Sequence, residues 1–405
     1  MANLKFSIII PTRERCDVLK ACLKTVLAQD YDNLDIIVSD NASTDKTGEF
    51  IKSIGDRRIR YINPGKRLSM SHHWEFALGH VSSGWVGFIG DDDGLLPGAI
   101  STVNRVVNET KVKAFRSNIC NYGWPGILRQ SCGRLSVPLQ QGLEIRGTAD
   151  WLDRLMTGNA WYTDLPVIYQ AGFTDIDVLI KIRDRAGAVF ASSSPDVHSG
   201  IAIASVIDKY AYQREPIAVN GASRHSNGRS FLADGKDSMQ SAHALFQAEA
   251  NIPIHPDIPM MPDGQFPKSI SVVVLDAYLH SAALRATSSS VDPRQQLELV
   301  LSSAPKQSEI DDWAELFSRH HRLDLKSIRR AASSARQWKR VRDLGKIMTD
   351  EIRTVRVGDS DLPLADVYEA SLSAAKILLE RPSGLCNLTH AAKRAFEKLA
   401  RKKSH

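Results

Sequence analysis

Three consecutive aspartates, Asp91-Asp92-Asp93, follow the apolar run Trp85-Val86-Gly87-Phe88-Ile89-Gly90 and precede a turn at Gly94-Leu95-Leu96-Pro97. Carboxylates repel one another, so three in a row at the end of a buried strand cost stability unless positive charge gathers there. The chemistry that uses such a cluster is coordination of a hard divalent cation. Mg²⁺ and Mn²⁺ take oxygen ligands and keep positions for water and substrate phosphates. By itself the triplet reads equally well as a solvated acidic turn. Two further polar segments decide between these readings, Pro11-Thr12-Arg13-Glu14-Arg15 and Ser39-Asp40-Asn41-Ala42-Ser43-Thr44-Asp45.

The elements around them place all three at one edge of a sheet. Phe6 to Ile10 is a near-continuous β-branched run, as expected of a parallel strand buried on both faces. A helix capped by Asp17 follows, with Val18, Leu19, Cys22, Leu23, Val26 and Leu27 at helical spacing. Leu34 to Val38 is a second strand, 46–53 a helix, Ile59 to Ile62 a third strand, 71–80 a helix and Trp85 to Ile89 a fourth strand. This alternation predicts βαβ units and a doubly wound α/β sheet, whose ligand crevice lies beyond the carboxyl ends of the strands. Thr12–Arg15, Asp40 and Asp91–Asp93 all fall at such ends. No Gly-x-Gly-x-x-Gly follows the first strand and no Walker-type Gly-Lys-Ser/Thr occurs, so the usual phosphate cradles are missing. An acid after strand two suits a base or ribose, and the acid cluster after strand four suits a metal-bridged diphosphate.

Ser7-Ile8-Ile9-Ile10-Pro11-Thr12-Arg13-Glu14-Arg15, Ile36 to Asp45, and Phe88 to Pro97 together resemble a family 2 glycosyltransferase of the GT-A fold, over roughly residues 4–230. The resemblance implies a doubly wound mixed sheet with a Rossmann-like nucleotide-binding half. It implies an inverting transferase of the bacterial surface-glycan type, using a nucleotide-sugar donor, commonly a UDP-sugar, with Mg²⁺ or Mn²⁺. A glycan or lipid-linked hydroxyl would be the acceptor. Pro11, Thr12 and Glu14 then belong to the nucleotide wall, and Asp40 matches the acid that contacts the base. The acid frequent before it in the family is Ser39 here. Asp92, five positions before Pro97, matches the metal ligand, Asp91 would lie beside the donor sugar, and Asp93 is open to either role.

An inverting mechanism needs a general base for the acceptor hydroxyl. In the segment 187–200, Asp196 follows a Ser-Pro turn and opens an apolar helix. From the residues alone it reads first as an N-cap; by resemblance it occupies the place of the catalytic Asp. His198 reads as a surface residue or a helper. Metal alone does not neutralise a diphosphate, so basic side chains should line the site. Lys66, Arg67, His72 and His73 precede strand four, and Arg224 and His225 sit in the polar loop 221–228. Arg224 could grip a phosphate and His225 could reach the metal. Trp124, Trp161 and Tyr162 are aromatic candidates for the acceptor side.

At 405 residues the chain exceeds one ordinary core. The expected division is 1–235 as the GT-A domain, 236–267 as a proline-rich linker or arm, and 268–405 as a basic helical domain. Residues 268–405 hold 24 Lys and Arg against 17 Asp and Glu, whereas 1–267 hold 28 against 29. Five cysteines are scattered, with no Cys-x-x-Cys spacing, which predicts a reducing compartment. No run approaches the roughly 18 apolar residues that span a bilayer. The expectation is a cytoplasmic protein. Leu325, Ile328, Ala332, Ala335, Trp338, Val341 and Leu344 form an apolar helix stripe beside a basic face. That helix either packs in a bundle or makes a peripheral contact with the inner face of the membrane, and the terminal Arg401-Lys402-Lys403 adds a second basic patch. Nucleic acid is not expected, because no aromatic-interleaved basic motif accompanies the charge. A nucleotide-sugar pyrophosphorylase would need a glycine-rich loop after strand one. A non-catalytic nucleotide-sugar-binding module or scaffold is the remaining alternative.

Overall fold

The first apolar run becomes β1 (Phe6–Thr12), buried nearly throughout because helices cover both faces of a parallel sheet. It leads through α1 (Cys16–Leu27), β2 (Leu34–Asp40), α2 (Thr47–Ser53), β3 (Ile59–Ile62) and α3 (Met70–Leu78) to β4 (Trp85–Phe88). β1 pairs in parallel with β2 and β4, and β2 with β3. The register sets Thr12 opposite Asp40, so two of the polar segments leave the sheet side by side. Asp17 does not cap α1. The Cys16 N–H instead donates to Asp45 Oδ2 at 3.1 Å, because the loop after β2 reaches over the helix start. Asp17 lies in the first turn. The structure is a computed structural model and describes residues 1–125, 133–226, 249, 251–267, 269–285, 291–304, 310–358 and 364–380.

Beyond the triplet come β5 (Gly94–Leu95), α4 (Ala99–Thr110), β6 (Ala114–Ser117), β7 (Cys120–Gly123), β8 (Arg134–Pro138) and β9 (Leu143–Gly147). Then follow α5 (Thr148–Met156), β10 (Gly172–Asp175), α6 (Ile176–Ala186), α7 (Pro195–Ala204), β11 (Lys209–Gln213) and β12 (Ala218–Ala222). The main sheet has eight strands in the order β3-β2-β1-β4-β10-β6-β11-β9, and β10 and β9 run antiparallel to their neighbours. Its two faces carry separate cores. Ile8 and Ile10 pack with Leu19, Val26 and Val103, while Ile9, Ile37 and Phe88 pack with Trp74, Leu179 and Ile203. The fold is thus a doubly wound mixed α/β sheet with a helical C-terminal region.

That region comprises α8 (Ile270–His280), α9 (Pro293–Ser303), α10 (Asp311–His320), α11 (Leu325–Ile352), β13 (Thr354–Val357) and α12 (Val367–Glu380). Side-chain packing crosses both expected boundaries. Val197 and Ile201 of α7 share one core with Val272, Val300, Trp313 and Ile328, and the irregular stretch 251–267 is pinned into it by Ile258 and Phe266. β13 pairs with β8 in a second, five-stranded sheet, and Ala370 and Ala374 of α12 pack with Ala21 of α1. Residues 227–248 of the expected domain end and linker, and Arg401-Lys402-Lys403, lie outside the described residues.

The apolar stripe of α11 starts inside the bundle: Ile328 and Ala332 are buried. Arg336 Nη2 donates to the Leu301 and Ala304 carbonyls at 2.6 and 2.9 Å, and Arg329 pairs with Asp311 at 3.0 Å. The side chains of Trp338 and of 340–348 lie outside the described residues. No helix among the described residues is long and apolar enough to cross a membrane.

Candidate active site

The triplet is buried, and each carboxylate is balanced differently. Asp91 Oδ1 pairs with Arg15 Nη1 at 3.1 Å, while its Oδ2 is enclosed without a hydrogen-bond partner. Burial opposes the Arg15 charge, but Asp91 and then Asp92 outweigh it and hold the guanidinium above its ordinary pKa. Burial also raises the Asp91 carboxyl, against the pull of Arg15. Asp92 Oδ2 accepts from Ser223 N at 3.2 Å and from the Ser223 and Ser226 hydroxyls at 2.6 Å each. β12 therefore has to pass close by. A Cβ on Gly221 would stand 1.7 Å from the Asp92 carbonyl oxygen, so only glycine fits there.

Asp93 is directed elsewhere. Its oxygens accept from Gly221 N at 2.7 Å, Gly90 N at 3.0 Å and Gln170 Nε2 at 3.2 Å, with the Tyr169 hydroxyl as a further donor. Burial, and next the charge of Asp92, push its pKa up to about 7. It ties the turn to β12 and is not among the cleft-lining residues.

Asp91 and Asp92 open into a cleft of about 610 Å³ that Asp196 also lines. Asp196 lies in the first turn of α7, after the N-cap Ser194, so it is not the cap itself. Its Oδ1 accepts from Ser194 Oγ at 2.8 Å, and the Tyr162 hydroxyl donates to it. Burial and the neighbouring Asp196 both raise the Tyr162 phenol, which stays a donor. Ile254, Phe266 and Val273 from the C-terminal part complete this wall.

Pro11 and Thr12 line the cleft. Asp40 is buried and is not among the cleft-lining residues, although its neighbour Asn41 is; Tyr61 Oη donates to its Oδ2 at 2.6 Å and Ser43 N to its Oδ1 at 3.0 Å. Glu14 is exposed and bonds Thr44; Lys66 is exposed. The structure does not bring Arg224 and His225 to the triplet. Both side chains meet Asp17, at 3.0 and 3.4 Å, and only the His225 carbonyl turns inward, to Arg15. His73 lines the cleft and bonds Ser39 Oγ at 2.8 Å. The serine that replaces an acid is thus paired with this histidine, and burial lowers the His73 pKa to about 4. His198 is buried, with Nδ1 2.9 Å from the Val189 carbonyl. Trp161 is exposed, and Trp124 Nε1 donates to the Asp92 carbonyl at 2.9 Å.

Arg15, Ser223 and Ser226 were not singled out from sequence, although all three lie inside motifs quoted for other residues. Among the described residues no three His, Cys, Asp or Glu side chains converge as a metal cage. A Mg²⁺-type site needs fewer, because one or two carboxylates plus substrate phosphates suffice. The Asp91 and Asp92 oxygens, one of them an orphaned buried Oδ2, fit that donor set.

Residues 7–128, about 30% of the chain, match the model of Glycosyl transferase family 2. This segment is a family 2 glycosyltransferase domain. It contains Pro11, Thr12, Arg15, Asp40 and the triplet, whereas Tyr162 and Asp196 lie beyond the family segment. The GalNAc(5)-diNAcBac-PP-undecaprenol beta-1,3-glucosyltransferase of Campylobacter jejuni is 35% identical over 114 residues, which is 27% of this chain and 37% of that protein. The PGL/p-HBAD biosynthesis glycosyltransferase of Mycobacterium tuberculosis is 35% identical over 101 residues, 24% of this chain and 38% of that protein. The chain therefore spans little more than a third of the length of these relatives. Among solved structures, S. aureus TarS 1-349 in complex with UDP-GlcNAc is similar at 13% identity and a TM-score of 0.47, covering 82% of this chain and 92% of that one. At that score the fold rests on the strand order of the chain itself.

Proposed function

We propose that the chain is an inverting glycosyltransferase that moves a sugar from a nucleoside-diphosphate donor, a UDP-sugar first, to an acceptor hydroxyl. The observation that carries this reading is that Asp91 and Asp92, at the end of β4, and Asp196, at the start of α7, line one cleft. The acceptor hydroxyl approaches Asp196, which takes its proton. The oxygen bonds to the anomeric carbon from the face opposite the diphosphate, whose C–O bond breaks and carries the electron pair away with the nucleoside diphosphate. Arg15 lies beside the diphosphate position and meets the charge that develops there. Asp92 and Asp91 would hold a divalent cation, which supplies further neutralisation of that leaving group. Tyr162 and Ser194 orient the Asp196 carboxylate. The name of the Campylobacter relative specifies a sugar on PP-undecaprenol, which supports a glycan or lipid-linked acceptor.

Calorimetry with UDP, GDP and dTDP, with and without Mn²⁺, tests the donor half, and release of sugar from the matching donor tests turnover. Binding without any turnover would leave a nucleotide-sugar-binding module. No binding of any of the three would remove the enzyme reading altogether.

A further inference from the structure

Three arginines line the cleft, and they differ in what balances their charge. Arg15 pairs with Asp91, and Arg13 with Glu249. Arg116, on β6, is 2% exposed, and its hydrogen-bond partners are neutral. Its Nε donates to the Thr163 carbonyl at 3.3 Å and its Nη1 to the Tyr169 carbonyl at 2.5 Å. No salt bridge reaches it among the described residues. The acids it feels, Asp164 and Asp196, act at longer range. A guanidinium stays protonated and carries five donors, so two carbonyls leave most of its fork unused. Burying such a charge without a counter-ion is unfavourable. The fork matches a carboxylate or a phosphate in two-point geometry.

Position says which ligand brings that anion. Arg15 and Arg13 flank the end of β1, where the diphosphate would lie against Asp91 and Asp92. Arg116 lies instead on the side of Tyr162 and Asp196, where the hydroxyl to be glycosylated must sit. Ile254, Phe266, Ile270 and Val273, which line the cleft from the C-terminal part, are apolar, and the lining carboxylate Glu249 is already paired with Arg13. We propose that Arg116 is an anion subsite for the acceptor, so that the accepting molecule carries a carboxylate or a phosphate near the reacting hydroxyl. This rests on the glycosyltransferase reading above.

The full chain, saturated with UDP and Mg²⁺, would be titrated by saturation-transfer NMR with methyl β-D-glucuronide, glucose 6-phosphate and the neutral methyl β-D-glucoside. One anionic probe should bind about tenfold tighter than the glucoside or better, as a charge-assisted pair allows, and which one it is separates carboxylate from phosphate. In Arg116→Met that preference should vanish while UDP affinity stays within about twofold. Equal affinities, no detectable binding of either anionic probe, or a preference that survives in Arg116→Met would overturn the proposal. If Arg116→Met fails to bind UDP, Arg116→Lys decides, since it keeps the charge but not the fork. Its preference should fall several-fold at intact UDP affinity, and an undiminished preference overturns the subsite. Loss of UDP binding in the unmodified chain would strike the glycosyltransferase reading instead.

Discussion

The wall of the cleft that carries Arg15, Asp91 and Asp92 and the wall that carries Asp196 are held in place by different forces. The first is a set of strand ends. Parallel pairing of β1 with β2 and β4 fixes its register, and backbone N–H groups and hydroxyls fix its carboxylates. The second is a helix start whose far side is apolar and shares its core with α8, α9 and α10. Arg15, Asp91 and Asp92 lie inside the family segment and Asp196 beyond it. Nucleotide binding should therefore be insulated from the packing of α8, α9 and α10, whereas placement of Asp196 should depend on it.

The sharpest way to separate the walls is Asp196→Asn. Loss of a general base should lower turnover by roughly 10²–10⁴-fold, with UDP affinity by calorimetry nearly unchanged; near-normal turnover would show that the base lies elsewhere. Next in size is Trp313→Ala, which empties a fully buried site behind the second wall. It should cost about 3–5 kcal/mol in a urea titration. At temperatures where the variant stays folded, turnover should fall while UDP binding holds. A parallel fall in both would erase the distinction between the walls.

A smaller effect comes from pH. Burial holds His198 at a pKa of about 4, below the ordinary 6.5. The unfolded chain therefore binds a proton that the folded chain refuses, and stability drops as pH falls from 6.5 towards 4. Between pH 7 and pH 5 the loss should be on the order of 2 kcal/mol, and His198→Gln should remove that part of the slope. His73, on the first wall, shifts in the same direction. Asp93, raised to about 7, contributes with the opposite sign. The test is therefore the difference between variant and parent, and a His198→Gln slope equal to the parent's would show that His198 titrates normally. The smallest expected effect is Tyr162→Phe. Losing one hydrogen bond to Asp196 is worth about 1 kcal/mol, or roughly fivefold in turnover, with donor affinity untouched.

Much of the first wall was legible because its signals are local. β-branched runs mark parallel strands, and polar residues directly after them mark the crevice. The helix stripe of α11 was legible for the same reason, since periodicity shows that a face is buried. It does not show against what, and Ile328 and Ala332 proved to face neighbouring helices. Asp17 was misplaced as a cap because the competing carboxylate, Asp45, comes from another loop. His225 read as a metal ligand from its loop, yet its ring turns to Asp17.

Local chemistry in the chain determined that carboxylates would gather at the carboxyl ends of parallel strands, since strand length, turn residues and charge are properties of short segments. Which aspartate faces the cleft was decided only by the tertiary structure. Three adjacent residues at a turn project in different directions, and the groups that claim them arrive from far away: Ser223 meets Asp92 across 131 positions and Gly221 meets Asp93 across 128. The same holds for Asp196, whose position depends on an apolar core assembled from helices that follow it.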